Sequence, residues 1–548
     1  MKNLTNSTLN ILIIILLSSL SCTNVDRPSE NLTNKIDSLL KEWNTNYTPG
    51  AAISILKDGK LIFKKGYGMS NLEHDIPINS STIFHIASES KQFTDFCIVL
   101  LAQQGKLSLN DDIRKYLPEL PDFGKKITIK NLIYHTSGLR DQWQLLSISG
   151  TRIDDVIKQN HILKLISKQQ RLNFEPGERF IYCNTGYTLL AEIVEEVSGL
   201  TLREFAKKEI FEPLGMEDTH FHDNYKEIVK NRAYSYEPKD SITFEKSILS
   251  FSTVGATSLF TTVEDESKWL KNYFTGQVGG QDALDQMHEL AILNSGEELS
   301  YSFGLMTDTY KGWRRIGHGG TDAGYKSYTV RFPEDNLGIV VFSNISNFNP
   351  RLMAMKIADI FLEDRSNNDD SIVIDHQFYK DRIGKYFSDE GQFCELVYNT
   401  KLYLRYNNGL QEMIPESDST FSFADGIGKL SFIKNDKNSF VFSYLNTKQI
   451  LRKYEPIVLA KSEMENYCGT YYSDEVATYY EIIQKGDKLF LKHCKYTDAL
   501  LTPVTSNQFT CPHWWMSNII FQRDHNNKIL GFEINSGRVL HLYFRKTN

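Results

Sequence analysis

The chain has 548 residues, a hydrophobic fraction of 41% and a formal net charge of −7 at pH 7. This length exceeds what one hydrophobic core normally supports, and the apolar content is ample for burial, so we expect two or three domains. A small negative charge without a basic stripe argues against a nucleic-acid-binding protein.

Residues 1–22 have the pattern of a secretory leader. Lys2 precedes an apolar stretch, 11–17, that is too short to span a bilayer but suits a signal-peptide core. A serine-rich segment then leads to Cys22. We predict a lipoprotein signal peptide and lipobox at 1–22, with the lipid attached to Cys22. Ser19 stands where lipoboxes usually have leucine, so cleavage without lipidation is the alternative.

Residues 23–31 are polar and are interpreted as a tether. No run of about 18 apolar residues follows, so we expect membrane contact through the lipid anchor only. The predicted location is the bacterial cell envelope, on its extracytoplasmic side, either periplasmic or at the surface.

The next segments predict a helix at 32–43 and a β-hairpin of strands 51–56 and 60–66 around Asp58-Gly59. Ser88-Glu89-Ser90-Lys91 then opens a helical pattern that Gly105 ends. Ser88 and Lys91 lie one turn apart on one helix face, so the amine can reach the hydroxyl. Serine needs such a base to act as a nucleophile, and a helix N-terminus favours developing negative charge. The four residues alone are a weak signal.

Two later segments supply context. Tyr182-Cys183-Asn184 lies between a turn at 175–178 and a helical pattern that ends at Gly199. His318-Gly319-Gly320 precedes two strand-like stretches, 325–332 and 337–342. Each segment alone fits an ordinary half-buried aromatic, helix cap or turn. Their order along the chain is what makes them specific.

Together these segments resemble the serine β-lactamase and penicillin-binding-protein superfamily, in particular its branch of class C β-lactamases, DD-peptidases and D-aminopeptidases. The resemblance covers roughly 48–360. It extends to three further segments: Gly105-Lys106-Leu107-Ser108-Leu109-Asn110-Asp111, His135-Thr136-Ser137-Gly138-Leu139 and Pro213-Leu214-Gly215-Met216.

The resemblance implies roles for the three motifs. Ser88 would be the nucleophile and Lys91 its partner, Tyr182 and Asn184 would form the second motif, and His318 would begin the third. Whether Lys91 or Tyr182 is the general base stays open, because neighbouring cations would depress the pKa of the phenol, and a neighbouring cation or burial would depress that of the lysine.

The third motif is also implied to contribute its backbone. The oxyanion hole would use the N–H groups of Ser88 and Thr321. Gly319 and Gly320 would let the strand approach a bound substrate closely. No organic cofactor and no metal ion are implied.

The third motif departs from the Lys-Thr-Gly of many relatives, and Cys183 stands where serine is common. His318 would be largely neutral at pH 7, so binding of a substrate carboxylate should be weak. We therefore expect esters or D-amino-acid amides to be preferred over D-Ala-D-Ala peptides and β-lactams, unless Arg314 or Arg315 replaces the missing cation.

The predicted function is a serine hydrolase that cleaves an amide or ester through a Ser88 acyl-enzyme, of the esterase or D-amino-acid amidase and peptidase type. Its partner would be a small-molecule or peptide substrate, with peptidoglycan fragments among the candidates. A DD-carboxypeptidase or class C-like β-lactamase is the alternative within the class. A non-catalytic penicillin-binding or cell-wall-binding receptor is the alternative outside it, and the presence of all three motifs argues against it.

The predicted fold class is α+β. Residues 32–364 would form a β-lactamase/transpeptidase-like catalytic domain, whose antiparallel sheet draws strands from both ends of the region. The helices at 32–43 and 351–362 would cover one face and an inserted helical part the other, with the third motif on the sheet edge beside Ser88. His135 is expected to anchor a loop. His220 and His222 lack a visible third metal ligand and are interpreted as structural.

A polar run at 363–371 marks a domain boundary, and a repeat follows it. Gly384-Lys385-Tyr386-Phe387-Ser388-Asp389-Glu390 returns as Gly469-Thr470-Tyr471-Tyr472-Ser473-Asp474-Glu475. We predict two small β-barrel-like domains, at 376–460 and 461–548, separable from the catalytic fold. They would be spacers, or a loop from them would reach the active site, with the aromatic cluster 511–516 as one candidate loop. The scattered cysteines disfavour a zinc site but permit a disulfide among Cys394, Cys468, Cys494 and Cys511.

Overall fold

The computed structural model describes residues 30–365, 376–406 and 409–547. The predicted leader, most of the tether and Cys22 lie outside the described residues. None of the described helices combines the length and apolar character needed to cross a membrane.

Eleven α-helices lie between residues 30 and 365, and two more accompany the barrels. They are α1 Glu30–Leu39, α2 Ser90–Gln103, α3 Ile129–Ile133, α4 Gln142–Ile148, α5 Gln159–Ile166, α6 Asn184–Ser198, α7 Leu202–Ala206, α8 Glu212–Leu214, α9 Val263–Thr275, α10 Gly280–Gln286, α11 Pro350–Ala358, α12 His376–Lys380 and α13 Lys461–Met464.

The same region contains fifteen strands. They are β1 Ala51–Lys57, β2 Lys60–Tyr67, β3 Met69–Asn71, β4 Ile76–Pro77, β5 Phe84–His85, β6 Ile157–Lys158, β7 His220–Phe221, β8 Tyr236–Pro238, β9 Phe244–Lys246, β10 Phe251–Ser252, β11 Leu259–Thr261, β12 Met306–Tyr310, β13 Trp313–Asp322, β14 Tyr325–Phe332 and β15 Leu337–Ser343.

The main sheet is antiparallel, in the order β12-β13-β14-β15-β1-β2. The first hairpin joins the last strands because Ile53 pairs with Val341, which brings both ends of the region together. Helices α1 and α11 share an apolar cluster with one face, through side chains such as Ile36, Ala354 and Ile357. The remaining helices pack on the other face around α2. The predicted α+β fold class is confirmed.

The third motif lies on β13, which is not the edge strand that we expected, because β12 pairs outside it. That pairing stops at Gly317, opposite Met306. After Gly317, the segment from His318 to Asp322 pairs only with β14 in the described sheet. The edge of this segment that faces away from β14 is therefore open toward Ser88. The third motif therefore reaches the site through a locally open edge.

The C-terminal part forms two closed eight-stranded barrels. The first comprises β16 Gly384–Phe387, β17 Phe393–Asn399, β18 Lys401–Tyr406, β19 Gly409–Pro415, β20 Thr420–Phe423, β21 Gly428–Phe432, β22 Ser439–Tyr444 and β23 Thr447–Tyr454. The second comprises β24 Gly469–Ser473, β25 Thr478–Lys485, β26 Lys488–His493, β27 Tyr496–Pro503, β28 Gln508–Thr510, β29 Asn518–Arg523, β30 Ile529–Ser536 and β31 Val539–Lys546. The predicted pair of barrels is confirmed.

The barrels differ in how they join the catalytic domain. The first has an apolar core of its own. The second shares one continuous apolar cluster with the helical part, including Leu145, Tyr480 and Phe544. The buried Arg140 side chain also donates to Glu475, at 2.6 Å, and to the Leu540 carbonyl, at 2.9 Å. The second barrel and the helical part thus share one apolar core, and the separability of the barrels stays a prediction.

The six cysteines outside the leader are free thiols, so none of the permitted disulfides forms. The histidine pair has a neighbour that the sequence did not reveal: Glu227 Oε2 lies 3.9 Å from His222 Nδ1, which in turn lies 3.4 Å from His220 Nε2. Arg203 already holds the Glu227 carboxylate in a two-pronged ion pair, with distances of 2.6 and 2.8 Å. The structural interpretation of His220 and His222 stays a prediction.

Candidate active site

Ser88 lies in a single turn of 3₁₀ helix, Ala87–Glu89, which leads into α2. Ala87 has a φ of 50°, in the left-handed region that side chains disfavour. The His85 imidazole stabilises this turn by accepting from the Ala87 N–H at 3.1 Å. Ser88 is half-buried, whereas its neighbours Glu89 and Ser90 are buried. The turn therefore presents one accessible hydroxyl at the start of a helix.

Lys91 is buried, and its amine faces three oxygen atoms. Nζ lies 3.0 Å from Ser88 Oγ, 2.9 Å from Asn184 Oδ1 and 2.7 Å from the Ala256 carbonyl oxygen. Burial lowers the pKa of Lys91 to about 7, an effect that Asp322 opposes and Arg538 reinforces. A large fraction of the amine is therefore neutral near pH 7.

The three oxygens accommodate a neutral amine as well as an ammonium. The amide oxygen of Asn184 and the carbonyl of Ala256 can only accept hydrogen bonds, whereas the Ser88 hydroxyl can donate one. A neutral amine has two N–H donors for the two acceptors and one lone pair for the hydroxyl. The site can therefore hold Lys91 with its lone pair directed at the Ser88 proton.

Asp141 fixes the orientation of Asn184. Its Oδ2 accepts from both the backbone N–H and the side-chain amide of Asn184, each at 2.8 Å, which leaves the amide oxygen facing Lys91. Its Oδ1 caps α4 by accepting from Trp143 and Gln144. Sequence reasoning missed this residue, because its visible signal is only that of a helix cap.

The Tyr182 hydroxyl is buried and makes no hydrogen bond to any described residue. Burial raises the pKa of Tyr182 above its ordinary value, and the nearby Ser88 and Arg538 only partly oppose that rise. Tyr182 is therefore a neutral phenol near pH 7. A phenol at this position can donate or relay a proton but is a poor base.

His135 anchors the second motif, as expected. Its Nδ1 accepts from the Cys183 N–H at 3.0 Å, and its Nε2 lies 3.1 Å from the Tyr301 hydroxyl. The ring packs on Tyr182, with 4.2 Å between ring centroids. His135 thus positions Tyr182 through packing.

The third motif packs directly against the turn that carries Ser88. A Cβ atom at Gly320 would lie 2.1 Å from the Ile86 carbonyl oxygen, so only glycine fits there. At Gly319 the closest atom would be 3.3 Å away, so the steric demand is smaller. Ser88 and Thr321 both line the cavity, which is compatible with the implied oxyanion hole.

His318 contributes no cation. Burial lowers the pKa of His318 to about 3, and its Nδ1 lies 2.7 Å from the Gly319 carbonyl oxygen. Arg315 does not replace the missing charge, because its side chain is 3% exposed and held by Asp308. Arg314 does not line the cavity.

Asp322 is a second acidic residue that the motifs did not indicate. It lies at the end of β13, lines the cavity and accepts a hydrogen bond from Thr257. Burial raises the pKa of Asp322 to about 6.

Two buried carboxyl groups, Glu89 and Glu266, lie close to Ser88 and influence each other's charge. Burial and the Glu266 charge raise the pKa of Glu89, and burial and Asp265 raise that of Glu266 to about 8. With a pKa of about 8, Glu266 is predominantly protonated near pH 7.

Loops from both barrels close the cavity, which has a volume of about 360 Å³. The first barrel contributes Asp425, Ile427, Tyr444 and Leu445, and the second contributes Arg538. A barrel loop therefore does reach the active site. It is not the aromatic cluster, since Trp515 instead accepts a hydrogen bond from Gln144 of α4 through its carbonyl.

The sheet, the serine–lysine pair and the two barrels define a β-lactamase/transpeptidase-like protein with two C-terminal barrel domains. The sequence profile of the Beta-lactamase family matches residues 36–361, more than half of the chain, and the protein therefore belongs to this family.

Two curated relatives are similar in sequence. Protein flp of Staphylococcus aureus strain MRSA252 is 28% identical over 337 residues, which are 60% of this chain and 66% of that protein. Penicillin-binding protein 4* of Bacillus subtilis strain 168 is 26% identical over 423 residues, which are 72% of this chain and 92% of that protein. The chain thus spans just under two thirds of the first relative.

Two solved structures share the fold. The octameric penicillin-binding protein homologue from Pyrococcus abyssi has a TM-score of 0.56 and 24% identity, over 85% of this chain and 98% of that chain. The D-amino acid amidase from Ochrobactrum anthropi SV3 has a TM-score of 0.51 and 22% identity, over 60% of this chain and 98% of that chain.

Proposed function

We propose that the protein is a serine hydrolase that cleaves an amide or ester bond by transient acylation of Ser88. The observation that carries this proposal is that the buried Lys91 amine lies 3.0 Å from Ser88 Oγ and has a pKa lowered to about 7. A lysine held in this way is a general base.

In the proposed acylation, the Ser88 proton moves to Lys91 as Oγ bonds to the substrate carbonyl carbon. The N–H groups of Ser88 and Thr321 stabilise the negative oxygen that results. The bond to the leaving nitrogen or oxygen then breaks, and that atom takes the proton from Lys91, directly or through the Tyr182 hydroxyl. Water releases the acyl group by the reverse sequence, which restores the Ser88 hydroxyl.

This assignment selects Lys91 over Tyr182 as the base that the sequence left open. Burial moves the two pKa values in opposite directions: it brings the Lys91 amine close to neutral pH and makes the Tyr182 phenol harder to ionise. An esterase or D-amino-acid amidase and a DD-carboxypeptidase or β-lactamase all use this chemistry. The penicillin-binding receptor is the candidate without turnover.

Intact-mass spectrometry with a neutral fluorophosphonate tests the proposal. We expect one adduct, located on Ser88 by peptide mapping, that disappears in Ser88→Ala and remains in the control Ser81→Ala, whose serine is exposed. The same samples are assayed for release of a chromogenic leaving group from activated esters. A protein that takes no adduct and hydrolyses no ester is not a serine hydrolase. One that is acylated by penicillin without turning over any substrate is a receptor.

A further inference from the structure

The turn between β30 and β31 of the second barrel places Arg538 in the active-site cavity. Its backbone is held firmly by the catalytic domain. The Arg538 N–H donates to Gln144 Oε1 at 2.8 Å, and its carbonyl accepts from the Asn173 amide at 2.9 Å and from the Asp141 N–H at 3.2 Å. The backbone of Arg538 is thus fixed against the wall of the cavity that also contains the second motif.

The Arg538 guanidinium lies over the Tyr182 ring, 4.8 Å from its centroid, and its side chain is 41% exposed. The nearest carboxylate is that of Asp141, at 3.8 Å, which is beyond hydrogen-bond distance. Four N–H groups, from Asn184, Trp143 and Gln144, already occupy the Asp141 oxygens. Within the described structure the five N–H donors of Arg538 have no acceptor, although the group faces the cavity.

The other basic groups in or beside the cavity are neutral or have hydrogen-bond partners. Lys91 faces three oxygens, and burial keeps His318 neutral. Arg351 donates to Asp308 at 3.0 Å and to the Asp425 carbonyl at 2.9 Å. Among the described cavity residues, Arg538 is therefore the cation none of whose side-chain donors is hydrogen-bonded.

We propose that Arg538 forms an anion-binding subsite and that the preferred substrates are amides or esters that carry a carboxylate. A guanidinium with unoccupied donors matches a carboxylate in charge and in planar, two-pronged geometry. The inference rests on the proposed hydrolase function, because it concerns the substrate of the same site.

This subsite changes the expectation drawn from the third motif. Loss of a cation at His318 predicted weak carboxylate binding, but Arg538 provides a cation on the opposite wall, from a different domain. The substrate carboxylate would lie near Tyr182 and Asn184 and away from β13.

Two matched substrate pairs test the proposal, since the cavity leaves open which part of the substrate carries the charge. The p-nitroanilides of D-glutamate and D-glutamine differ in an acyl-side carboxylate. The 3-carboxyphenyl and 3-carbamoylphenyl esters of phenylacetic acid differ in a leaving-group carboxylate. In at least one pair we expect the wild type to favour the charged member in kcat/KM by about 10- to 100-fold.

Three variants test whether Arg538 causes that preference for the charged substrate. Arg538→Gln should abolish it and Arg538→Lys should restore part of it, while Arg545→Gln, an exposed position on the same barrel, should leave it unchanged. Circular dichroism melts verify that each variant is folded. Equal rates within both pairs for the wild type, or a preference that survives Arg538→Gln, would overturn the inference.

A neutral fluorophosphonate separates this outcome from failure of the proposed function. If wild-type Ser88 takes the adduct and the charged substrates gain nothing, the hydrolase proposal stands and the Arg538 subsite is wrong. If Ser88 takes no adduct and none of the four substrates is cleaved, both proposals are wrong.

Discussion

The protonation state of Lys91 should control the rate of acylation. Its pKa is lowered to about 7 by burial, and only the neutral amine can accept the Ser88 proton. With a pKa of about 7, roughly 10% of the amine is neutral at pH 6 and roughly 1% at pH 5. The second-order rate constant for acylation should therefore fall about tenfold per pH unit below pH 6 and reach a plateau above pH 8.

The charges around Lys91 predict how that profile moves. Asp322, Asp141 and Asp95 favour the charged amine, whereas Arg538 disfavours it. Asp322→Asn should thus lower the pKa of Lys91 and shift the acid limb to lower pH. Arg538→Gln should raise that pKa and shift the limb to higher pH. Arg545→Gln, remote from the cavity, should leave the profile unchanged.

The measurement is stopped-flow acylation by a neutral fluorophosphonate between pH 5 and pH 9. Because the probe does not titrate in this range, the pH dependence of the rate reports on the protein. Circular dichroism at each pH separates loss of rate from loss of fold. A rate that stays flat down to pH 5 would refute Lys91 as the base, and a rate that rises only above pH 9 would indicate the Tyr182 phenolate. Shifts of both variants in one direction would refute the assigned electrostatics.

Three further outcomes follow from the structure and the sequence. Gly320→Ala should reduce both the acylation rate and the thermal stability, because its methyl group would lie 2.1 Å from the Ile86 carbonyl oxygen. Gly319→Ala should reduce them far less. Equal losses of rate and stability in the two variants would contradict the described packing. For Glu266, burial raises the pKa from 4.5 to about 8 in the folded state, so the stability that it contributes is complete below pH 4.5 and is lost as the pH rises toward 8. In urea unfolding, Glu266→Gln should therefore gain stability on the wild type as the pH rises across that window, and a gain independent of pH would disprove the titration. Metabolic labelling with a clickable fatty acid should mark the wild type and not Cys22→Ser; equal labelling of both would remove the lipid anchor.

The parts of the fold with strong local patterns could be predicted from the sequence. Strands β1, β2, β14 and β15 begin and end within one residue of their predicted bounds, because alternation of side chains and tight turns are local properties. The helix at 351–362 instead ends at Ala358, since fraying of a last turn leaves little trace in a sequence.

The candidate site also contains some contacts that could be predicted from the sequence and others that could not. Ser88 and Lys91 are three residues apart on one turn, so their contact could be predicted from spacing. Arg538 reaches the cavity only through the docking of a barrel, in which Arg140 contacts a residue 400 positions away. Asp322 and Asp141 acquire their surroundings in the same manner, from segments that are distant in sequence. No local pattern predicts such contacts.

The shared core of the helical part and the second barrel has a consequence for folding. Contacts such as Arg140 to Leu540 can form only after a very long loop has closed, which makes them slow relative to local helices and hairpins. A nascent chain would hold an assembled serine–lysine pair beside an uncovered apolar face until the β30–β31 hairpin docks. The period before docking is then when the chain is most prone to aggregate and most dependent on chaperones.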